Sequence, residues 1–551
     1  MSRTLFLYVF KDLLRIFLLT SGALAGIMSF GGLLRPLTEH GLDAGQVGMV
    51  LTYFMPAMMT YSLPISALFA TTVVYGRLAA DNELTACRAA GISYFSISAP
   101  AAVLGLTVAL VSLLFLCFVV PNFSLKVERV IYSNLARLIA NEIETTRQIR
   151  QDQHTIYAQN AVALPPDPSR PNEQVVTLNG VMIVSYDKAA SEAKNMQIPG
   201  DFYLARSATA LIHRGGPSDD EYSVKVLLDG GTMFPRTSAG KMQAGLASTQ
   251  FGPVPIPSPI DEDTKFMDIR RLHELLENPT RSQRVNAELI KIVREDQSAR
   301  YLEEVLAALK GPTRLHRFKA NDEVFEMTRS SRSTARLHRG VLTVPGGATW
   351  VEESNGTVKS TADVEEVRLT ARATSEGRMA VVAELHRAEI RFAEDVGRHQ
   401  SLQRPFSVTM PPAVRAIEQR PVSHYLATTD GAPAPGRGLL MREMLRLGNS
   451  AYSEIHGRLS FATSCLILVI VGCALGMMFK SGNFLTAFAV SVVPALLCIA
   501  LIVTGQNTCE SIPWRLENFH NPLNAGLALI WSGNAAVLVV AVGLMWRLQR
   551  Q

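Results

Sequence analysis

Six stretches of the chain carry no charged residue over a length that can cross a hydrocarbon core, roughly 20 residues as helix. They lie at 16–34, 44–76, 89–125, 459–479, 481–509 and 518–546, in two groups of three. Between the groups the chain changes character: residues 126–458 hold 43 of the 53 Lys and Arg and 41 of the 48 Asp and Glu. The expected organisation is a membrane block at 1–125, an inserted soluble domain at 126–458 and a second membrane block at 459–551. A mean hydropathy of +0.16 fits that mixture and neither extreme. The net charge of +5 leaves no segment with the basic density of a nucleic-acid binder, so nucleic acid is not an expected partner.

Arg3, Lys11 and Arg15 before an apolar run containing Ala23-Leu24-Ala25 have the outline of a secretory signal. The run's length and the span that follows at once favour a retained anchor. The short loops set the orientation. With the N-terminus inside, Arg3, Lys11, Arg15, Arg77, Arg88, Lys480, Arg547 and Arg550 are inner, and only Arg35 and Arg515 are outer. That is the positive-inside pattern, and it turns the large domain out of the cytoplasm. The cysteines lie in or beside the spans and none lies in the large domain, so they give neither a disulfide framework nor a zinc spacing.

Within the large domain the hydrophobic period changes to two after residue 150. Strands are expected at 155–164, 174–186, 221–228, 364–373 and 378–385, with turns at Asp229-Gly230-Gly231 and Ser375-Glu376-Gly377. Residues 122–150 read as the third span continuing out of the membrane, with Val127, Ile131, Leu135, Leu138 and Ile139 on one side. Val285, Leu289, Ile292, Val293, Leu302, Val305, Leu306 and Leu309 recur at helical spacing. The fold class is therefore a six-span α-helical membrane protein, three plus three, with an inserted β-rich domain. That domain is expected to be jellyroll-like or sandwich-like and interrupted by a helix. A proline-bearing stretch and a short helix (269–276; 422–427) close each half, which suggests two units, at about 150–280 and 312–430.

Catalytic signatures are missing. There is no His-Glu-x-x-His, no Cys-x-x-Cys, no Gly-x-Ser-x-Gly, and Gly240-Lys241 lacks the rest of a phosphate-binding loop. No catalytic residue, metal or cofactor is expected. The six uncharged stretches also lack the Asp, Glu, His or Arg that ion-driven transporters keep near mid-membrane. A transport role would draw its energy from another protein.

The largest inner loop, 77–88, reads RLAADNELTACR. A helix over about 77–90 would turn Leu78, Leu84 and Cys87 to the membrane and Arg77, Asp81, Glu83 and Arg88 to solvent. It is either a solvated connection or a helix that docks on a cytosolic motor.

The stretch 63–93, LPISALFATTVVYGRLAADNELTACRAAGIS, resembles the LptF/LptG permease family. Glu454-x-His456-x-Arg458, Gly505-Gln506 and Trp531-x-x-Asn534 are similar to that family too. The resemblance implies a transmembrane subunit of an ABC exporter that takes lipopolysaccharide, or a related lipid, from the inner membrane to a periplasmic bridge protein. Its implied partners are a cytosolic ABC ATPase dimer, a second permease of the same family, the bridge and the lipid. Arg77, Asp81, Glu83 and Arg88 would couple to the ATPase. Gly22, Gly26, Gly31 and Gly32 would pack a gate helix or serve ordinary helix packing. Arg35 would meet a lipid phosphate or snorkel to the interface. The chain differs from the family pattern in its longer outer domain and in lacking a proline at Phe461-Ala462-Thr463. The competing classes are a lipoprotein-releasing or MacB-like permease and a membrane-anchored scaffold without transport.

Overall fold

A computed structural model of the chain describes residues 3–40, 44–123, 135–151, 154–165, 173–186, 199–214, 222–234, 244–256, 263–320, 323–338, 340–354, 357–374, 377–391, 396–426, 435–478, 484–513 and 520–550. Among the described residues six helices are long and apolar enough to cross a membrane. Three precede the strands in chain order: α1 (Arg3–His40), α2 (Ala44–Ala80) and α4 (Tyr94–Leu114), the last continued by one wide π-helical turn (Phe115–Val119). Three follow them: α10 (Pro435–Met478), α11 (Phe484–Glu510) and α12 (Leu523–Arg550). Between α2 and α4 lies the short α3 (Glu83–Ala89).

The described residues form two compact units by their internal contacts. In the first, α2 and α10 are the inner helices. Along its most apolar window α10 is 78% buried and α2 61%, whereas α1, α11 and α12 are each 28% buried. Composition does not reveal this, because all six windows are apolar. Helix packing does: Cβ atoms built on Gly472 and Gly476 of α10 would lie 2.6 Å from Thr71 Oγ1 and 2.8 Å from the Thr72 carbonyl of α2. Only glycine lets the two backbones approach so closely. The same holds between α11 and α12, where Gly505 and Gly526 face each other and a Cβ on either would meet the other's carbonyl at 2.6 Å.

The first unit also contains α5 (Leu135–Thr146) and a seven-stranded antiparallel sheet. Its strands are β1 (Gln148–Gln151), β2 (His154–Tyr157), β3 (Asn160–Ala163), β4 (Glu173–Tyr186), β5 (Pro199–Arg214), β6 (Tyr222–Phe234) and β7 (Ala244–Ile256). The pairing order is β1-β2-β4-β5-β6-β7, with β3 beside β4. The core is made of small and aliphatic side chains, among them Ala161, Val176, Leu178, Ile183, Ala208 and Ile212. One turn of 3-10 helix (Thr264–Phe266) and α6 (Ile269–Glu277) follow.

The second unit opens with α7 (Gln283–Lys310) and holds β8 (Leu315–Ala320), β9 (Glu323–Arg329), β10 (Arg336–His338), β11 (Val341–Ser354), β12 (Thr357–Ala373), β13 (Arg378–Arg391) and β14 (Val396–Thr409). The short helices α8 (Pro412–Arg415) and α9 (Val422–Leu426) close it. Its order, β8-β9-β11-β12-β13-β14 with β10 beside β11, is that of the first sheet strand for strand. The kink is shared as well. In β4, Gly180 (φ +60°) separates the half paired with β3 from the half paired with β2. In β11, Gly346 (φ +84°) and Gly347 (φ +101°) separate the halves paired with β10 and β9. A left-handed backbone at these points is cheap only for glycine. The interiors differ. Phe318, Phe325, Trp350 and Phe406 fill the second unit, with ring centroids 4.5 to 6.0 Å apart, and Phe318–Phe406 brings the two end strands together.

Several expectations are corrected here. The helix that carries the uncharged stretch 459–479 is continuous from Pro435. Asp229-Gly230-Gly231 is not a turn: β6 runs through it, and Gly230 takes up a positive φ within the strand. The strand expected at 155–164 is broken at Ala158-Gln159, opposite Gly180. The helix expected over 122–150 ends at Thr146, and Val127 and Ile131 lie outside the described residues.

Candidate functional site

The loop between the second and third spans holds four of the residues singled out in the sequence. A single helix over 77–90 does not form. α2 ends at Ala80, Asn82 adopts a left-handed conformation (φ +58°), and α3 starts afresh at Glu83 and stops at Ala89, two residues before Gly91 (φ +79°). Asparagine tolerates that conformation better than most residues, so Asp81-Asn82 breaks the helical period. Leu84 is buried and anchors α3; Leu78 is buried too, and Cys87 half-buried.

The four charges divide into two kinds. Arg77 is ion-paired with Asp12 of α1. Arg88 lies over the Tyr94 ring, 4.6 Å from its centroid, and donates from Nη1 to the Tyr94 hydroxyl at 3.0 Å. Asp81 and Glu83 are exposed and make no hydrogen bond or ion pair among the described residues. The two basic residues brace the loop, and the two acidic ones are presented by it.

The glycines of α1 behave otherwise than their spacing suggests. Among the described residues no heavy atom lies within 4 Å of a Cβ built on Gly22, Gly26 or Gly31, so no described helix packs closely on them. Gly32 and Arg35 are in the last turns of α1, where side chains lie outside the described residues.

The most connected polar cluster is one the search for charges in the spans missed. Glu454 and Arg458 are one helical turn apart on α10, 7% and 2% exposed. Arg458 Nε donates to Glu454 Oε1 at 2.9 Å, and Gln506 of α11 donates to Glu454 Oε2 at 2.9 Å. Arg458 Nη2 points at the 3-10 turn after the first sheet, 3.3 Å from the Thr264 carbonyl, 3.3 Å from that of Lys265 and 2.7 Å from that of Met267. Nη1 is buried and has no hydrogen-bond partner among the described residues. Thr264 adds a second tie, its hydroxyl 2.8 Å from that of Ser450, which donates to Glu510 at 2.7 Å.

Neighbouring turns of α10 hold α12. Trp531 Nε1 donates to His456 Nδ1 at 3.2 Å, which leaves the imidazole proton on Nε2. Asn534 donates to the Ser460 carbonyl and hydroxyl, both at 2.8 Å, and accepts from Ser464 at 2.7 Å. All the polar motif residues of the second membrane block therefore meet along one helix. Through Arg458 that helix grips the segment leaving the first sheet. A buried ion pair of this kind contributes little net stability but is costly to break on one side, because the partner's charge is left buried. Its place in the fold is a joint between spans and β unit.

Among the described residues no three His, Cys, Asp or Glu are placed to hold a metal ion. No curated protein matches the chain. Over residues 7–301, from α1 through the first sheet into α7, it matches the family described as lipopolysaccharide export system permease LptF/LptG. With six helices able to span a membrane and that match over more than half its length, the chain is a multi-pass transport permease that belongs to the LptF/LptG family.

Proposed function

We propose that this permease is the membrane-spanning subunit of an ABC exporter that extracts lipopolysaccharide, or a similar lipid, from the inner membrane and passes it to a periplasmic bridge. The observation that carries this reading is the family match over 7–301. A separate cytosolic ATPase supplies the energy and docks on α3. In support, Asp81 in the turn before α3 and Glu83 at its first position are exposed and their carboxylates make no hydrogen bond or ion pair among the described residues, and the loop that presents them is braced by Arg77–Asp12 and Arg88–Tyr94. A second permease of the same family faces α1, where Gly22, Gly26 and Gly31 leave room for close approach. Arg35, at the outer end of α1, meets lipid phosphate with its forked donors. The sheets, which share one pairing order, are tandem copies of a jellyroll-like unit on the periplasmic side, and the chain needs no ATP site, metal or cofactor of its own.

The docking claim is tested by Glu83→Lys. Like charges brought together at an interface cost several kcal/mol. The variant should insert and melt normally, yet lose its ATPase on purification and lose ATP-driven lipid release. Retention of both activities would remove α3 as the docking helix.

A further inference from the structure

The second unit carries a groove that the transport reading does not use. α7 has 28 residues, about 42 Å at helical rise, against 12 residues, about 18 Å, for α5 before the first sheet. Its C-terminal half, with Tyr301, Leu302, Val305 and Leu309, enters the core of the second sheet. Its N-terminal half extends further, with Val285 and Ile292 turned to Tyr425 and Leu440. On another side, between that overhang and the end of β12, lies a cavity of about 520 Å³, within the 300–1,000 Å³ range of small-molecule sites.

Its walls have a distinct chemistry. Lys291 and Arg294 approach from the helix and Arg372 from the strand, against one acid, Glu295. Lys291 has a loose ion pair with Glu288 at 3.6 Å. The guanidinium groups of Arg294 and Arg372 have no hydrogen bond or ion pair among the described residues. Nearby arginines are paired: Arg300 with Glu303, Arg368 with Glu366 and Arg437 with Asp296. The floor is small and aliphatic, without an aromatic ring to stack a nucleobase. The width is fixed, because Ser298 donates to the Arg294 carbonyl at 2.6 Å and accepts from the Ala373 amide at 3.1 Å, pinning helix to strand.

We propose that this groove binds an acidic saccharide, a sugar bearing a phosphate or carboxylate, with Arg294 and Arg372 forking its anionic group from opposite walls. The volume holds one or two sugar rings, and the aliphatic floor suits their apolar faces. This rests on the reading of the chain as a permease for a glycolipid, and it assigns the inserted second unit the headgroup of that substrate. The proposal gives acyl chains no place in this groove, and laurate is its control.

The test uses the full-length protein in nanodiscs, with Ala299→Cys on the groove rim carrying an environment-sensitive dye. The probes are glucose 6-phosphate, glucose, inorganic phosphate, laurate, and vesicles with or without lipopolysaccharide. Glucose 6-phosphate should give a saturable response, glucose none, and lipopolysaccharide vesicles a stronger response than plain ones if the source is the lipid headgroup. Arg294→Gln with Arg372→Gln should weaken binding on the order of tenfold or more. Arg294→Lys should lie between, and Glu295→Gln should tighten binding with folding unchanged. Inorganic phosphate or laurate binding as well as the sugar phosphate, or Glu295→Gln leaving affinity unchanged, would overturn the proposal. ATP-driven lipid release by the unmodified protein purified with its ATPase separates the two claims. If release persists while no probe binds, the groove fails alone; if release is absent, the permease reading fails.

Discussion

Replacing Arg458 by methionine removes the counter-charge of a carboxylate that is 7% exposed and the donor that serves three backbone carbonyls at once. Glu454 keeps Gln506 as a donor, so it is not stripped of every partner. Breaking a buried pair from one side costs about 3–5 kcal/mol. At roughly 2–4 °C per kcal/mol for a large domain, the melting midpoint should fall on the order of 10 °C. Glu454→Gln leaves the guanidinium, 2% exposed, on its three carbonyls without a counter-charge and should also cost about 3–5 kcal/mol. The double change, Glu454→Gln with Arg458→Met, leaves no buried charge and should cost less than the two single losses together. Arg458→Lys keeps the charge but cannot reach the carboxylate and the turn at once, and should be intermediate. The assay is thermal unfolding of the detergent-purified protein, followed by limited proteolysis between the first sheet and α6. Arg458→Met should expose that segment before the sheet itself is cut. A melting point within about 1 °C of the parent, or strictly additive losses in the double variant, would refute the joint.

Three further outcomes follow from residues elsewhere. Gly476→Val would drive its side chain into the Thr72 carbonyl, 2.8 Å from the Cβ position, and should cost about 1–3 kcal/mol or more. Gly26→Val meets nothing within 4 Å, so it should leave the isolated chain's melting point unchanged and weaken only pairing with a second permease; equal effects on stability would contradict this assignment. Burial beside the Phe318 ring lowers the His316 pKa below its usual 6.5. The unfolded chain then binds the proton more readily, so this histidine's contribution to stability holds above pH 6.5 and is lost as the pH falls from there towards its folded value. His316→Gln should flatten the stability profile of the protein between pH 7 and pH 5, and an unchanged profile would exclude His316 as its source.

Much of the membrane architecture was legible, because an uncharged stretch of span length has few alternatives. The inner helices α2 and α10 were not, since Gly22-x-x-x-Gly26 and Gly472-x-x-x-Gly476 look alike in one dimension and, among the described residues, only the second packs against another helix. Glu454 and Arg458 stand just before the uncharged run, so a search of the uncharged stretches passes them by. Their partners at 264–267 lie some 190 residues away in sequence, so no local pattern could reveal the pairing. In the β units, strands with clean alternation such as 364–373 were readable. β5, β11 and β14 were missed, because their glycines, prolines and charges break the period, while ladders on both sides of β5 and β11 and the β13 ladder beside β14 hold the strands. Of the inner-loop charges, the sequence gives no sign that Arg77 is committed to Asp12 and Arg88 to Tyr94. That division is what leaves Asp81 and Glu83 as the docking candidates.

The central claim is that this chain moves a lipopolysaccharide-type lipid with energy taken from another protein. Its most direct test purifies the permease with its native membrane neighbours, places the complex in vesicles loaded with lipopolysaccharide, and measures transfer to a soluble periplasmic bridge protein. The expected result is transfer that requires ATP and a co-purifying ATPase, and that stops in the Glu83→Lys variant together with loss of that ATPase. Transfer without ATP, or a complex that contains no ATPase and binds no lipid, would contradict it.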